Sequence, residues 1–377
     1  MAGWNQDMRP EDPEDDEVAA GIGEQSRTHG PCSATPAMTE RRSGTVAPMI
    51  PIDDIIGARE RIAGRVHRTA LFRNATLSQR FGTNVYLKME LFQKTGSFKP
   101  RGAFNQLIVL MERDGADRFV GVSGGNFAQG LAHAGAVLGV ATTVVMPEGA
   151  PANSVQATRG YGATVELVPN VTAAFERADE LADAGAVMAH PFDHPAMMAG
   201  NGTLGLELVE DVPELSDVFI SVGGGGFITG VGSAIHALRP GARIWAVETD
   251  GAQVLHDSLA AGEPLSMTPT SLAKTLGSPF LSPVAYDFAV DHVEKALVVT
   301  DEMAYDALLF LLERAKVLPE LAAACTLAAL DMVAGNRTAL ETEADRFTED
   351  DHVVLVLCGG NVSSADLAGY RERFGHF

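Results

Sequence analysis

The sequence predicts an α/β fold built on parallel sheets flanked by helices. From Pro51 onward, short β-rich runs alternate with Ala-rich amphipathic stretches. Several of the runs are apolar from end to end, as expected for strands covered on both faces. Glycine-rich turns follow three of them, where a strand of an open parallel sheet hands over to the next element.

Along the chain, residues 1–47 read as a disordered acidic tail. They carry an acidic run over 11–17, then polar residues, Gly and Pro with little apolar periodicity. Such a segment buries too little apolar surface to offset its ordering entropy. Ile52, Ile55, Ile56 and Ile62 share one helical face, and Asp53 is placed to cap that helix. Strands are expected at 85–90, 119–123, 142–146, 164–168, 186–190, 218–222, 243–248 and 353–357. Helices are expected between them, among others at 127–138, 171–184, 228–238 and 302–315.

A length of 377 residues with 46% hydrophobic content suits two domains better than one. The chain shows no apolar run of the about 18 residues that a membrane span requires, and its opening residues lack the apolar core of a secretory signal. Cys32, Cys325 and Cys358 are too few and too scattered for a disulfide framework or a zinc site, which suits a reducing cytoplasm. A formal net charge of −21 argues against nucleic acid and anionic membrane surfaces as partners. It leaves room for an anionic ligand, because a local nest of backbone N–H groups outweighs a distant field.

The three glycine turns are Ser123-Gly124-Gly125-Asn126, Gly223-Gly224-Gly225-Gly226 and Cys358-Gly359-Gly360-Asn361. All three sit at carboxyl ends of expected strands, where open parallel sheets bind ligands, so together they suggest one shared pocket. Four glycines before a helix allow positive φ and close backbone approach, and the helix N-terminus adds positive potential. A phosphate is the natural guest of 223–226, although no Gly-Lys-Ser/Thr follows and the dinucleotide spacing is missing. Lys99 lies in a Ser-Phe-Lys-Pro-Arg-Gly-Ala run, with Pro100 biasing it towards a turn at a helix start. A desolvated lysine there would lose its proton and attack an aldehyde.

These four motifs, in this order, resemble the fold-type II pyridoxal-phosphate (PLP) enzymes, and within them the serine/threonine dehydratase-like group. That group holds threonine and serine dehydratases, serine racemases and hydroxyaspartate dehydratases. The resemblance covers about residues 50–377. It implies a two-domain fold like the tryptophan synthase β chain. Residues 48–115 and 196–377 would form a large PLP-binding domain and 116–195 a small one. By the same resemblance Lys99 matches the Schiff-base lysine, and Phe98 the residue packed near the cofactor ring. Gly223, Gly224, Gly225 and Gly226 match the phosphate cup, and Asn126 the partner of the 3′-hydroxyl. Ser123, Gly124, Gly125 and Asn126 match the loop that receives the substrate carboxylate. Cys358 matches the residue facing the pyridine nitrogen, and Glu320 an acidic residue beside the cofactor.

The sequence departs from the family pattern in places. Phe127 replaces the usual histidine after the loop asparagine, which would reshape the entrance or favour a bulkier substrate. The usual Glu-Pro-x-Gly-Ala is Glu320-Leu321-Ala322-Ala323-Ala324. A divalent-cation site of some members begins at the match to Glu248, but its last carboxylate falls at Val254, so no metal is expected. The chain ends sixteen residues after Asn361, which leaves no space for a C-terminal regulatory domain.

The resemblance implies β-elimination: a β-hydroxy amino acid such as L-threonine or L-serine gives a 2-oxo acid and ammonia. A neutral thiol at Cys358 would leave the ring nitrogen unprotonated and favour prompt loss of the β-substituent. Racemisation needs a second acid–base group, and its usual serine is Gly124 here. Another PLP reaction on this scaffold (racemisation, β-replacement, dehydration of an unusual β-hydroxy amino acid) is the alternative. A non-catalytic PLP- or amino-acid-binding protein is the third reading. A cytoplasmic homodimer acting on a small amino acid is expected, with neither nucleic acid nor membrane as partner.

Overall fold

The computed structural model describes residues 49–335 and 347–375; the tail expected over 1–47 lies outside the described residues. Ten strands run as β1 (Leu71–Arg73), β2 (Asn84–Lys88), β3 (Arg118–Val122), β4 (Ala141–Pro147) and β5 (Thr164–Val168), then β6 (Val187–Met188), β7 (Asp217–Ser221), β8 (Arg243–Thr249), β9 (Lys295–Val299) and β10 (His352–Val356). The helices of the first half are α1 (Ile52–Ile62), α2 (Ala75–Phe81), α3 (Lys99–Asp114), α4 (Asn126–Leu138), α5 (Ala152–Gly160) and α6 (Val171–Asp183). Those of the second half are α7 (Pro195–Asp211), α8 (Gly226–Leu238), α9 (Val254–Ala261), α10 (Pro283–His292), α11 (Asp301–Phe310), α12 (Leu321–Val333) and α13 (Ser364–Phe374). None of the described helices is long and apolar enough to cross a membrane.

The strands form two sheets. A six-stranded sheet has the order β1-β2-β10-β7-β8-β9, and a four-stranded sheet has the order β5-β4-β3-β6. Every pairing is parallel except β1 with β2, where Leu71 stands opposite Lys88. The eight expected strands are all present, within a few residues of their expected ends. β1 and β9 were not expected. β1 is three residues long and carries Arg73, and β9 opens on Lys295, so neither reads as a long apolar run. Asp53 does not cap α1: the chain enters at Pro51 without a side-chain cap, and Asp53 sits in the first turn, where it complements the helix dipole instead.

The interior follows the pattern that predicted it. β7 is buried along its whole length, and β10 is buried beyond its first residue. The largest apolar cluster surrounds the six-stranded sheet, with α12 buried at every position. A second cluster lies under the four-stranded sheet and contains Phe104 and Phe127.

Helix α7 passes between α3 and α8 at backbone contact. A Cβ on Gly205 would stand 2.6 Å from the Val231 carbonyl, so this crossing requires glycine. The α3 side of α7 is as close, since a Cβ on Gly200 would strike the Arg101 carbonyl, and it is fixed by charge as well. Arg101, one turn into α3 and 1% exposed, donates to Glu90 Oε2 at 2.9 Å and to Glu207 Oε1 at 2.7 Å. Lys88 Nζ reaches Glu207 Oε2 at 2.6 Å and the Thr69 carbonyl at 2.9 Å, and Thr69 donates to Glu90. Two cations and two carboxylates, all buried, thus neutralise one another. Burial would raise the Glu90 carboxyl, but the Arg101 guanidinium beside it holds it below the usual carboxylate range.

Arg101→Met should therefore leave Glu207 with Lys88 and Glu90 with the Thr69 hydroxyl but no paired cation. Breaking one partner out of a buried ion cluster costs about 3–5 kcal/mol. Urea denaturation of the variant should show a loss of that size, and a stability within about 1 kcal/mol of wild type would disprove the role given to this cluster.

Candidate active site

Lys99 opens α3, and Pro100 follows it in the first helical turn, as the sequence suggested. The segment before it is held in place by the turn after β10. Phe98 donates its amide to the Cys358 carbonyl at 3.0 Å, Ser97 bridges Gly359, and Gly360 donates to Gly96 at 2.9 Å. Thr95 takes a positive φ of 64° to make this bend. The Lys99 Nζ reaches the Pro191 carbonyl at 3.2 Å and stands 5.0 Å from the Phe98 ring centre and 5.9 Å from that of Phe127. Desolvation lowers its pKa to about 8, with Cys358 and Glu320 opposing. At that value roughly one amine in ten is neutral at pH 7, against fewer than about one in a thousand for an ordinary lysine.

The three glycine turns converge on this amine. Gly223, Gly224, Gly225 and Gly226 join β7 to α8, and Gly225 takes a φ of 88°. Their four amides donate to no acceptor among the described residues. Packing also demands these glycines: a Cβ on Gly224 would lie 2.5 Å from the Phe192 ring, and one on Gly226 would strike the Phe192 carbonyl. The space around Gly224 on that side is therefore filled by Phe192, so a bulky residue there would strain the fold as well as crowd a ligand.

Ser123, Gly124, Gly125 and Asn126 join β3 to α4. Asn126 is 6% exposed and donates through Nδ2 to Glu320 Oε1 at 2.9 Å, while its Oδ1 accepts from Asn361 Nδ2 at 2.8 Å. Asn361 also donates to the Thr95 carbonyl at 2.8 Å, which closes the circuit back to the Lys99 bend. Glu320 is buried immediately before α12. Burial pushes its carboxyl up, against hydrogen bonds from Thr275 and Asn126.

Cys358 lies two residues after β10 and is 4% exposed. It accepts from Ser221 Oγ at 3.3 Å, and burial together with the nearby Glu320 pushes its thiol up to about 12. It is neutral at physiological pH. Phe98 is buried beside the amine and stacks on Phe227, with ring centres 3.8 Å apart. Phe127 is 2% exposed and belongs to the core under the smaller sheet, so it packs inward from the start of α4 and does not stand at an entrance. Glu248 lies at the end of β8, where its two oxygens accept the amides of Leu255 (2.9 Å) and His256 (2.8 Å) at the start of α9. Burial raises its carboxyl to about 8.

Several contributors escaped the sequence. Pro191 and Phe192 follow β6 in a His-Pro-Phe-Asp run and touch Lys99 and the glycine turn. His190 and the residues after it fold into a turn in which its Nδ1 accepts the Asp193 amide at 2.8 Å. Thr275 and Ser221 bind the site residues Glu320 and Cys358 directly. A histidine and proline directly after a strand was the available signal for 190–193; Thr275 offers none.

A cradle of unengaged amides suits an anion, and a half-desolvated amine suits a carbonyl. Both features fit the phosphate and aldehyde of PLP. Sequence and structure comparisons agree. Residues 62–359 match the family described as pyridoxal-phosphate dependent enzyme. The chain is 38% identical to the L-threonine ammonia-lyase of Thermotoga maritima over 83% of this chain and 76% of that one. It is 34% identical to the catabolic L-threonine dehydratase TdcB of Escherichia coli, over 83% and 93% of the two chains. The solved structure of maize serine racemase superposes with a TM-score of 0.79 at 31% identity, covering 87% of this chain and all of that one. The chain belongs to the family of pyridoxal-phosphate dependent enzymes, in its serine/threonine dehydratase-like group.

Proposed function

We propose that this protein is a PLP-dependent lyase that converts L-threonine or L-serine to a 2-oxo acid and ammonia by β-elimination. The observation that carries the reading is the neutral, buried thiol of Cys358 across the site from Lys99. When bound, PLP supplies an electron sink for the bond broken at the substrate Cα. Lys99 would hold it through its amine and, once released, remove the Cα proton. The amides of Gly223, Gly224, Gly225 and Gly226 would bind the phosphate, assisted by the N-terminus of α8. Phe98 would pack near the ring, and Asn126 would bind the 3′-hydroxyl, oriented by Glu320 and Asn361. The turn formed by Ser123, Gly124, Gly125 and Asn126 would receive the substrate carboxylate. Cys358 would face the ring nitrogen and, as a neutral weak donor, leave it unprotonated. A weak donor at Cys358 would favour loss of the β-hydroxyl over reprotonation.

The names of the relatives support the substrate class. Racemisation is the second reading, favoured by the likeness to maize serine racemase. Against it stands Gly124, which offers no proton donor. The same reading treats 48–115 with 196–377 as a large domain and 116–195 as a small one, since the four-stranded sheet uses residues of the latter stretch alone. It also includes a homodimer in a reducing cytoplasm, consistent with Cys325 and Cys358 buried as free thiols. Sedimentation of the holoenzyme tests the dimer.

The central test follows 2-oxo acid, ammonia and D-isomer together from L-serine and L-threonine. Release of 2-oxo acid should dominate; D-isomer outpacing it would refute the elimination reading. Borohydride reduction of the holoenzyme should place the pyridoxyl label on Lys99, and label on another lysine would sink that assignment.

In the cofactor-free protein, acylation of Lys99 by acetic anhydride should follow the neutral amine. The sign is set by the lowered value: the reactive form is half present at about pH 8, grows above it and is lost as pH falls below it. Lys99 titrating with the surface lysines, near pH 10 to 11, would contradict the desolvated setting described for it.

A third expectation concerns reaction choice. A Cβ at Gly124 stands 3.1 Å from that of Ala150, so Gly124→Ser needs a shift of a few tenths of an ångström. The variant should release D-isomer at least several times faster than wild type while elimination persists. Unchanged D-isomer release would show that a hydroxyl at this position does not supply the missing proton.

A further inference from the structure

Glu320 presents its two oxygens unequally. Oε1 accepts twice, from Asn126 Nδ2 at 2.9 Å and from Thr275 Oγ1 at 2.8 Å, whereas Oε2 makes no hydrogen bond of normal geometry. Thr275 itself is exposed, although the carboxyl it holds is buried. Its other branch faces the substrate turn: the Thr275 methyl lies 3.6 Å from where a Cβ on Gly125 would stand. One side chain at the mouth of the site therefore touches both the turn 123–126 and the carboxyl that orients Asn126.

The segment bearing Thr275 is fastened before it reaches the site. Ser271 donates to Asp301 Oδ1 at 2.6 Å, the Leu272 amide donates to Asp301 Oδ2 at 2.8 Å, and Ser271 also pairs with Thr249 at 2.8 Å. One residue on, the Leu276 carbonyl stands 3.0 Å from the Cβ position of Gly223. The hydroxyl is thus delivered by an anchored strap and not by a free loop.

Resting on the elimination reading above, we infer that Thr275 is a positioning residue: its hydroxyl pins Oε1 of the Glu320 carboxylate against Asn126, and so sets how the substrate turn is held. The physical basis is the direction of the hydrogen bond. A hydroxyl that donates to a buried carboxylate stabilises its charged form, and here it opposes the burial that favours the protonated one. With Oε1 doubly occupied, a proton taken up by Glu320 goes to Oε2. The ionisable groups around Glu320 are Lys99 at the start of α3, Cys358 after β10, Cys325 within α12 and Tyr370 in α13. Of these, Lys99 is the cation that favours the carboxylate, and the two thiols and the phenol are pushed up by burial and stay neutral.

Two variants of nearly equal shape separate the hydroxyl from the methyl. Thr275→Val keeps both branches and removes the donor; Thr275→Ser keeps the donor and removes the methyl. Both are prepared as holoenzyme, and two readouts are taken across pH: the absorbance of the bound cofactor, and kcat/KM for 2-oxo acid release from L-threonine. In Thr275→Val the acidic limb of the rate profile should move to higher pH, with kcat/KM down about tenfold at the acidic end, the size of a lost charge-assisted hydrogen bond. The absorbance titration should move in the same direction. Thr275→Ser should restore both profiles. Thr275→Val superposing on wild type in both readouts, or Thr275→Ser failing as badly as Thr275→Val, would overturn the inference. If wild type releases no 2-oxo acid, the elimination reading fails by itself, and the absorbance titration of the three proteins still decides the role of Thr275.

Discussion

The start of α3 depends on one buried arginine. Arg101 is two residues beyond Lys99 and is gripped by Glu90 from the segment after β2 and by Glu207 from α7. Lys88 completes the cluster from β2 itself. A guanidinium with five donors in a planar fork is suited to two carboxylates at once, and a lysine in its place would satisfy one. The grip fixes the rotation and depth of the first turn of α3. Lys99 inherits that placement, and the hydrogen bonds from Phe98 and Gly360 then hold the bend before it against the turn after β10. Burying four charges is not an efficient route to stability; what it provides here is a single register for the helix that carries the reactive amine.

The glycine turn after β7 serves packing and ligand at the same time. Phe192 and Ala285 occupy the sides where Cβ atoms would project, and this leaves the backbone amides with nothing to bind. A buried amide without a partner is costly, so a turn of this kind is complete only when an acceptor arrives. The same logic runs through Asn126. Each of its side-chain ends is already engaged, by Glu320 and by Asn361, so its orientation is set before any ligand is present.

The electrostatics of the site are arranged by burial. The amine of Lys99 is brought down, so that a neutral fraction is present near physiological pH, and the thiol of Cys358 is pushed up and stays neutral. Burial also pushes the Glu320 carboxyl up, and its hydrogen bonds resist that burial. The chain's large negative charge plays no part at this scale.

The sequence by itself determined the fold class, since strand and helix periods and apolar runs are local properties, and the central strands of both sheets were legible from them. It also showed the ordered motifs on which the proposed site rests: Lys99 before a proline, and glycines where backbone must approach closely. β1 and β9 escaped because short strands with charged ends owe their conformation to pairing, not to their own composition. The tertiary structure alone decided the rest. Arg101 looked like one more residue of a motif until Glu207, more than a hundred positions later, was brought against it. Glu320 is buried, and its hydrogen bonds to Asn126 and Thr275 join residues far apart in the chain. Phe127 belongs to the core and not to an entrance, and Thr275 gained a role from two neighbours far away in the chain. A hydrogen bond or a desolvated charge depends on which atoms meet, and when partners lie far apart in the chain, only the folded packing determines that.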